Sequence, residues 1–123
     1  MPGTMFPVEV TGGVPVVAAP EEIDITNAAD LQAALLSAAS DGAKGLVADM
    51  TRTRFCDSSG MHALVAAHRH ALAEGRHLVL AISDTAVLRV LTLTGIDQII
   101  PTFASLQEAL GHVTADGSRS PGS

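Results

Sequence analysis

The chain has 123 residues, 47% of them apolar, which suffices for one domain with a sizeable core. It carries a net charge of −6, one lysine (Lys44) and only three aromatic side chains, all phenylalanine. This balance argues against direct nucleic-acid binding, which needs a basic surface or aromatic stacking faces, and suits a basic partner, or none in particular.

In chain order, Phe6 to Val10 and Val14 to Ala19 are β-prone runs separated by Thr11-Gly12-Gly13, which reads as an opening hairpin. Pro7 and Pro15 cannot donate ladder hydrogen bonds, so an edge position suits at least one of these strands. Asn27 is a candidate N-cap for a helix running to about Ala39, with Leu31, Leu35 and Ala38 on one side and Asp41-Gly42 as its stop. Gly45 to Met50 holds a short continuous apolar run, as buried parallel strands do. A connection with two arginines leads into a second helix from about Ser59 to Glu74. Met61, Leu64, Val65, His68 and Leu72 form its apolar stripe, and Gly75 stops it. His77 to Ile82 is the next strand. Ser83 or Asp84 caps a third helix carrying Val87, Val90 and Leu91, and Gly95 ends it. Ile99 to Phe103 reads as a last strand, and Leu106, Ala109, Leu110 and Val113 mark a final helix. From Thr114 onward, Ala, Asp, Gly, Ser and Pro suggest a tail over 114–123 without fixed structure. The order β-β-α-β-α-β-α-β-α predicts an α/β fold: a mixed, mostly parallel sheet of about five strands with about four helices.

Chemistry is concentrated in Phe55-Cys56-Asp57-Ser58-Ser59-Gly60-Met61, between a buried strand and an amphipathic helix. Loops at the C-terminal ends of parallel strands are where such folds bind ligands. A serine at a helix start has its hydroxyl near free N–H groups and the positive end of the helix dipole, so a phosphate there is favoured. On this reading Asp57 orients or accepts the hydroxyl proton, and Gly60 removes a side chain that would crowd the phosphate or a partner. Asp-Ser-Ser ahead of an apolar-periodic run is also an ordinary helix cap.

Asp49-Met50-Thr51 followed by Phe55-Cys56-Asp57-Ser58-Ser59-Gly60-Met61 resembles the central signature of the STAS domain family (sulfate transporter and anti-sigma-factor antagonist). Glu22-Ile23-Asp24 resembles the acidic turn after that family's second strand. Leu93-Thr94-Gly95-Ile96 with Ile99-Ile100 resembles its C-terminal signature. The resemblance runs from about Met5 to Val113, so one domain over 5–113 is expected, of the small single-domain antagonist kind. It implies a cytoplasmic bacterial switch, not an enzyme and without a cofactor. Such an antagonist binds an anti-sigma factor that is also a serine kinase. Phosphorylation of the serine after the motif's Asp, here Ser58 with Ser59 as fallback, ends binding, and a PP2C-type phosphatase reverses it. The partner-binding residues implied are Glu22, Asp24, Asp57, Ser58, Ser59, Gly60 and His62. The alternative role within the family is an accessory subunit that binds a transporter ATPase. Three positions depart from the family pattern: Glu21 where Gly is frequent, Asn27 where Thr is usual, and His62 where a small residue is usual.

Other residues carry weaker signals. Arg52 and Arg54 stand close enough in sequence to pair with a phosphoserine, or are plain surface arginines. Cys56, the only cysteine, lies in an apolar-flanked segment and reads as an inert buried thiol rather than a redox switch. The histidines lack metal-ligand spacing, and His68 falls on the apolar stripe. A nucleophile elbow is missing its glycine, since Cys56 and Asp57 occupy the places two residues before the serines, and no phosphate-cradling Gly-rich loop is present. No signal peptide and no apolar run of membrane-spanning length is visible, so membrane insertion is not expected.

Overall fold

The structure, a computed structural model, describes residues 6–39 and 44–118. Its elements are β1 (Val8–Thr11), β2 (Val14–Ala18), β3 (Glu22–Ile23), α1 (Ala28–Ala39), β4 (Gly45–Met50), β5 (Phe55–Cys56) and α2 (Ser58–Ala73). There follow β6 (His77–Ile82), α3 (Thr85–Thr94), α4 (Ile96–Ile99), β7 (Thr102–Phe103) and α5 (Leu106–Ser118). Five strands form one sheet in the order β1-β2-β4-β6-β7, with β1 antiparallel to β2 and the other pairs parallel. The expected α/β fold with a mostly parallel five-stranded sheet is observed.

The central strands β4 and β6 are covered on both faces, which is why they are rich in apolar residues, whereas β1 is exposed along its length. Successive side chains point to opposite sides. Val17, Leu46, Ala48, Met50, Leu78, Leu80 and Ile82 join the larger core beneath α1, α2 and α3. Val14, Val16, Val47, Val79 and Ala81 meet Ala109 and Val113 of α5 on the other side. Gly45 permits that approach: a Cβ there would lie 2.8 Å from Val113 Cγ1 and 3.0 Å from the His77 carbonyl. Edge strand β1 follows Pro7, as expected. Pro15 lies inside the sheet, but pairing of β2 with β4 begins only at Val16, so its missing N–H leaves no gap.

Four differences from the sequence reading have physical causes. The inward face of α2 is Gly60, Met61, Ala63, Leu64, Ala67, His68 and Ala71, whereas Leu72 is 48% exposed. Small alanines, not large side chains, let α2 lie close on its neighbours. In α3 only Val87 and Leu91 are buried, and Val90 stays exposed. The segment expected as a strand from Ile99 begins instead as the short helix α4. Gly95, at φ 82°, ends α3, and the chain turns again at once, placing Ile96 and Ile100 inside. Pro101 ends α4, and the β7 ladder starts with the Leu80 N–H donating to the Pro101 carbonyl at 2.9 Å. Finally, the backbone of α5 stays helical to Ser118, beyond Thr114 where the composition changes. The predicted α1 stop at Asp41-Gly42 lies outside the described residues, as does the end of the tail.

Asn27 precedes α1, but its amide is spent backwards. Its Oδ1 accepts from the Asp24 N–H at 3.0 Å, and its Nδ2 donates to the Glu22 carbonyl at 2.8 Å. It therefore fastens the acidic turn. His68 is buried with Nδ1 unpartnered, and its pKa is lowered by burial first and then by His77 and Arg69.

Candidate functional site

The site is held by a small ladder that the sequence reading did not find. Strands β3 and β5 pair in parallel, Glu22 with Phe55 and Ile23 with Cys56, as a second sheet beside the main one. Flanking bonds extend it: the Arg54 N–H donates to the Glu21 carbonyl at 2.7 Å and the Asp57 N–H to the Ile23 carbonyl at 3.1 Å. The connection from β4 is fixed from below. The Asp49 carboxylate accepts from the Thr51 N–H and hydroxyl at 3.0 and 2.7 Å, and buried Thr53 donates to the Pro20 carbonyl at 2.8 Å. The acidic turn and the segment leading to Ser58 are therefore one rigid unit.

Asp57 is the N-cap of α2. Its Oδ1 accepts from the Gly60 N–H at 3.1 Å, and its carbonyl accepts from the Met61 N–H at 3.0 Å. Ser58 is the first helical residue, one position earlier than expected, and it is exposed, while Ser59 is half-buried. Gly60 has a different role from the one expected. A Cβ there would point inward, 2.6 Å from both Ile23 Cγ2 and Cys56 Sγ. Its missing side chain seats α2 on the β3–β5 ladder and does not clear space for a phosphate or partner.

The acidic turn is ordered by its own side chains. Asp24 Oδ1 accepts from the Thr26 N–H at 2.9 Å and from the Thr26 hydroxyl. These bonds, the hydroxyl's first, hold the Asp24 carboxyl below the ordinary carboxylate range. Glu22 is exposed and Asp24 half-exposed, and Ile25 between this turn and α1 is 79% exposed. Phe55, on the partner strand of the ladder, is 51% exposed. His62 is exposed and borders a groove with Ile25 and Ser59. Glu22, Asp24, Asp57, Ser58, Ser59 and His62 thus meet at one end of the molecule. Arg52 and Arg54 do not join them. They line a separate cleft with Glu21, Thr51, Ser83 and Asp84, which Ser58 does not border.

Carboxylates gather at the C-terminal ends of the strands: Glu21, Glu22, Asp24, Asp49, Asp57 and Asp84 lie there together with Arg52 and Arg54, while Lys44 and Arg76 lie with Glu74 at the N-terminal ends of β4 and β6.

Cys56 beside the site is inert. Burial first, and the Asp57 carboxylate second, push its thiol from 9.0 up to about 11. Its reaction with iodoacetamide at pH 8 should be slow in the folded chain and fast in urea; equal rates would contradict the burial. The unfolded thiol ionises near pH 9.0 and the folded one near pH 11. The stability held in the protonated thiol is therefore complete below about pH 9 and lost as pH rises towards 11.

This architecture is that of a regulatory binding domain, a class without typical enzymatic machinery. The chain belongs to the STAS family: the STAS domain matches residues 5–109. It is similar to an anti-sigma factor antagonist from Mycobacterium paratuberculosis, with 30% identity, 89% of this chain and 93% of that chain covered, and a TM-score of 0.81. A sulfate transporter family protein from Wolinella succinogenes shares the fold at 20% identity, with 90% and 93% covered and a TM-score of 0.78. So does the Bacillus cell fate determinant SpoIIAA in its phosphorylated form, at 24% identity, with 88% and 98% covered and a TM-score of 0.65. The chain matches none of the curated proteins with which it was compared. Among the described residues, no helix is long and apolar enough to cross a membrane.

Proposed function

We propose that this chain is an anti-sigma-factor antagonist of the bacterial cytoplasm. Unmodified, it binds an anti-sigma factor with serine kinase activity. Phosphorylation of Ser58 ends that binding, and a PP2C-type phosphatase restores it. The chain is substrate and ligand, not catalyst.

One observation carries the reading: Ser58 is the exposed first residue of a long helix whose start is clamped to the rigid acidic turn. An exposed hydroxyl at a helix N-terminus accepts a phosphate without disturbing the core, and the helix dipole favours the added charge. Because Asp57 already accepts the Gly60 N–H, it supports transfer by holding the acceptor in place. Its carboxylate remains beside the hydroxyl in sequence as a proton acceptor. Glu22 and Asp24 supply a negative rim for a basic partner.

An accessory subunit for a transporter ATPase is the competing role, since a sulfate transporter family protein has the same fold. The intact Asp57-Ser58-Ser59-Gly60 segment, with its hydroxyl in solvent, favours the kinase. The test is incubation with ATP and each anti-sigma kinase encoded by the same genome, followed by mass spectrometric mapping. One phosphate on Ser58, absent from Ser58→Ala, is the expected result. No modification by any of them, together with tight binding to a transporter ATPase, would sink the kinase reading.

A further inference from the structure

Between the first turns of α1 and α2 runs a groove of about 290 Å³. Ala28 and Ala63, both buried, form its floor. Ile25, Ala29 and Gln32 border it on the α1 side, and Ser59 and His62 on the α2 side. An isoleucine that is 79% exposed, on a turn stiffened by the Asp24, Thr26 and Asn27 hydrogen bonds, loses little freedom on contact. Alanines at the floor leave room for one side chain from outside.

The proposed function decides what covers this groove, and the inference rests on that reading. A protein partner buries about 800 Å² of each surface, a patch of about 15 Å radius. A kinase that reaches Ser58 must therefore cover the residue beside it, Ser59, and the groove Ser59 borders. The rim fixes the partner's chemistry further. Glu22 and Asp24 stand just before Ile25 on the same turn, so a basic group beside the inserted apolar side chain would meet a carboxylate there.

We infer that this groove is the kinase-specificity pocket: it takes one Leu-, Met- or Phe-sized side chain of the kinase, with Ile25 and His62 setting its width. His62, placed where a smaller residue would leave the groove wider, makes the fit particular to this chain's own kinase.

The test is steady-state phosphorylation of Ser58 by the anti-sigma kinase that modifies it, with ATP saturating. Ala29 is exposed on α1 and glutamine is a good helix former, so Ala29→Gln fills the groove while the helix is kept. Its KM should rise about tenfold with kcat nearly unchanged, the signature of lost binding common to ground and transition states. Ile25→Ala should raise KM about as much, by removing an apolar anchor. Leu72→Ala, at the far end of α2, should leave KM unchanged. An unaltered KM in Ala29→Gln, or an equal rise in Leu72→Ala, would overturn the pocket. Absence of Ser58 phosphate in the wild-type chain would instead defeat the functional reading, and the pocket with it.

Discussion

Replacing Gly60 by alanine should destabilise the chain, although alanine is the better helix former. The added Cβ would meet Ile23 Cγ2 and Cys56 Sγ at 2.6 Å, closer than real Cβ contacts come. Ile23 is fully buried and held in the β3–β5 ladder, so it cannot retreat without breaking that ladder. Overpacking of this kind costs about 1–3 kcal/mol, and occasionally more. The gain in helix propensity offsets at most about 1 kcal/mol of it. Gly111 supplies the contrast: it sits exposed in α5 with nothing near its absent Cβ, so Gly111→Ala should stabilise by about 0.5–1 kcal/mol. Urea unfolding reads both. Midpoints that move down for Gly60→Ala and up for Gly111→Ala support the seating of α2 on the ladder. A Gly60→Ala chain as stable as the parent would refute it. The variant should also lose Ser58 phosphorylation, because the only relief is to lift the start of α2 off its support.

Phosphate on Ser58 should weaken binding to the kinase by about two to four orders of magnitude. The helix dipole returns about 0.3–1 kcal/mol for an exposed phosphate. Burying the new charge unpaired against the partner costs about 3–5 kcal/mol, and this larger cost decides the sign. After transfer the phosphate also faces the anionic ADP left in the kinase, a like-charge contact. Ser58→Ala should bind within a few-fold of the parent, since it removes only an exposed hydroxyl. Calorimetric titration of the unmodified, phosphorylated and Ser58→Ala chains checks this. Phosphorylated and unmodified chains of equal affinity would mean that the modification does not switch this contact. The thermal midpoint of the chain should barely move on phosphorylation, because the serine touches no part of the core.

Much of the architecture was legible in the residues, for reasons that differ by element. β4 and β6 could be read to their terminal residues because burial on both faces leaves a mainly apolar run between turn signals, broken in β4 by Asp49. Asp84 and Gly95 mark the ends of α3 by local chemistry alone, a carboxylate on the Val87 N–H and a left-handed glycine. β3 and β5 were not legible. Each has two residues, and both are fixed by bonds between segments far apart in sequence, including Thr53 to Pro20. The site was legible by motif but not by mechanism. Asp57-Ser58-Ser59-Gly60 stands at the start of α2 beside the acidic turn, yet Gly60 serves packing, and Arg52 and Arg54 turn into another cleft. Ile25 and Phe55 passed unnoticed as surface residues. Their one sequence signal was large apolar side chains set beside charged ones in a segment too short to be a core element.

The carboxylates gathered at the C-terminal ends of the strands outnumber the two arginines there, so this uneven charge gives the molecule an electric moment with its negative pole at the Ser58 end. In the field of a basic partner such a body feels a torque before it feels contact. It rotates during approach so that the acceptor serine leads, and fewer collisions are wasted on the wrong face. The moment is screened within about 10 Å at 0.1 M salt, so this guidance acts only over the last stretch of the encounter.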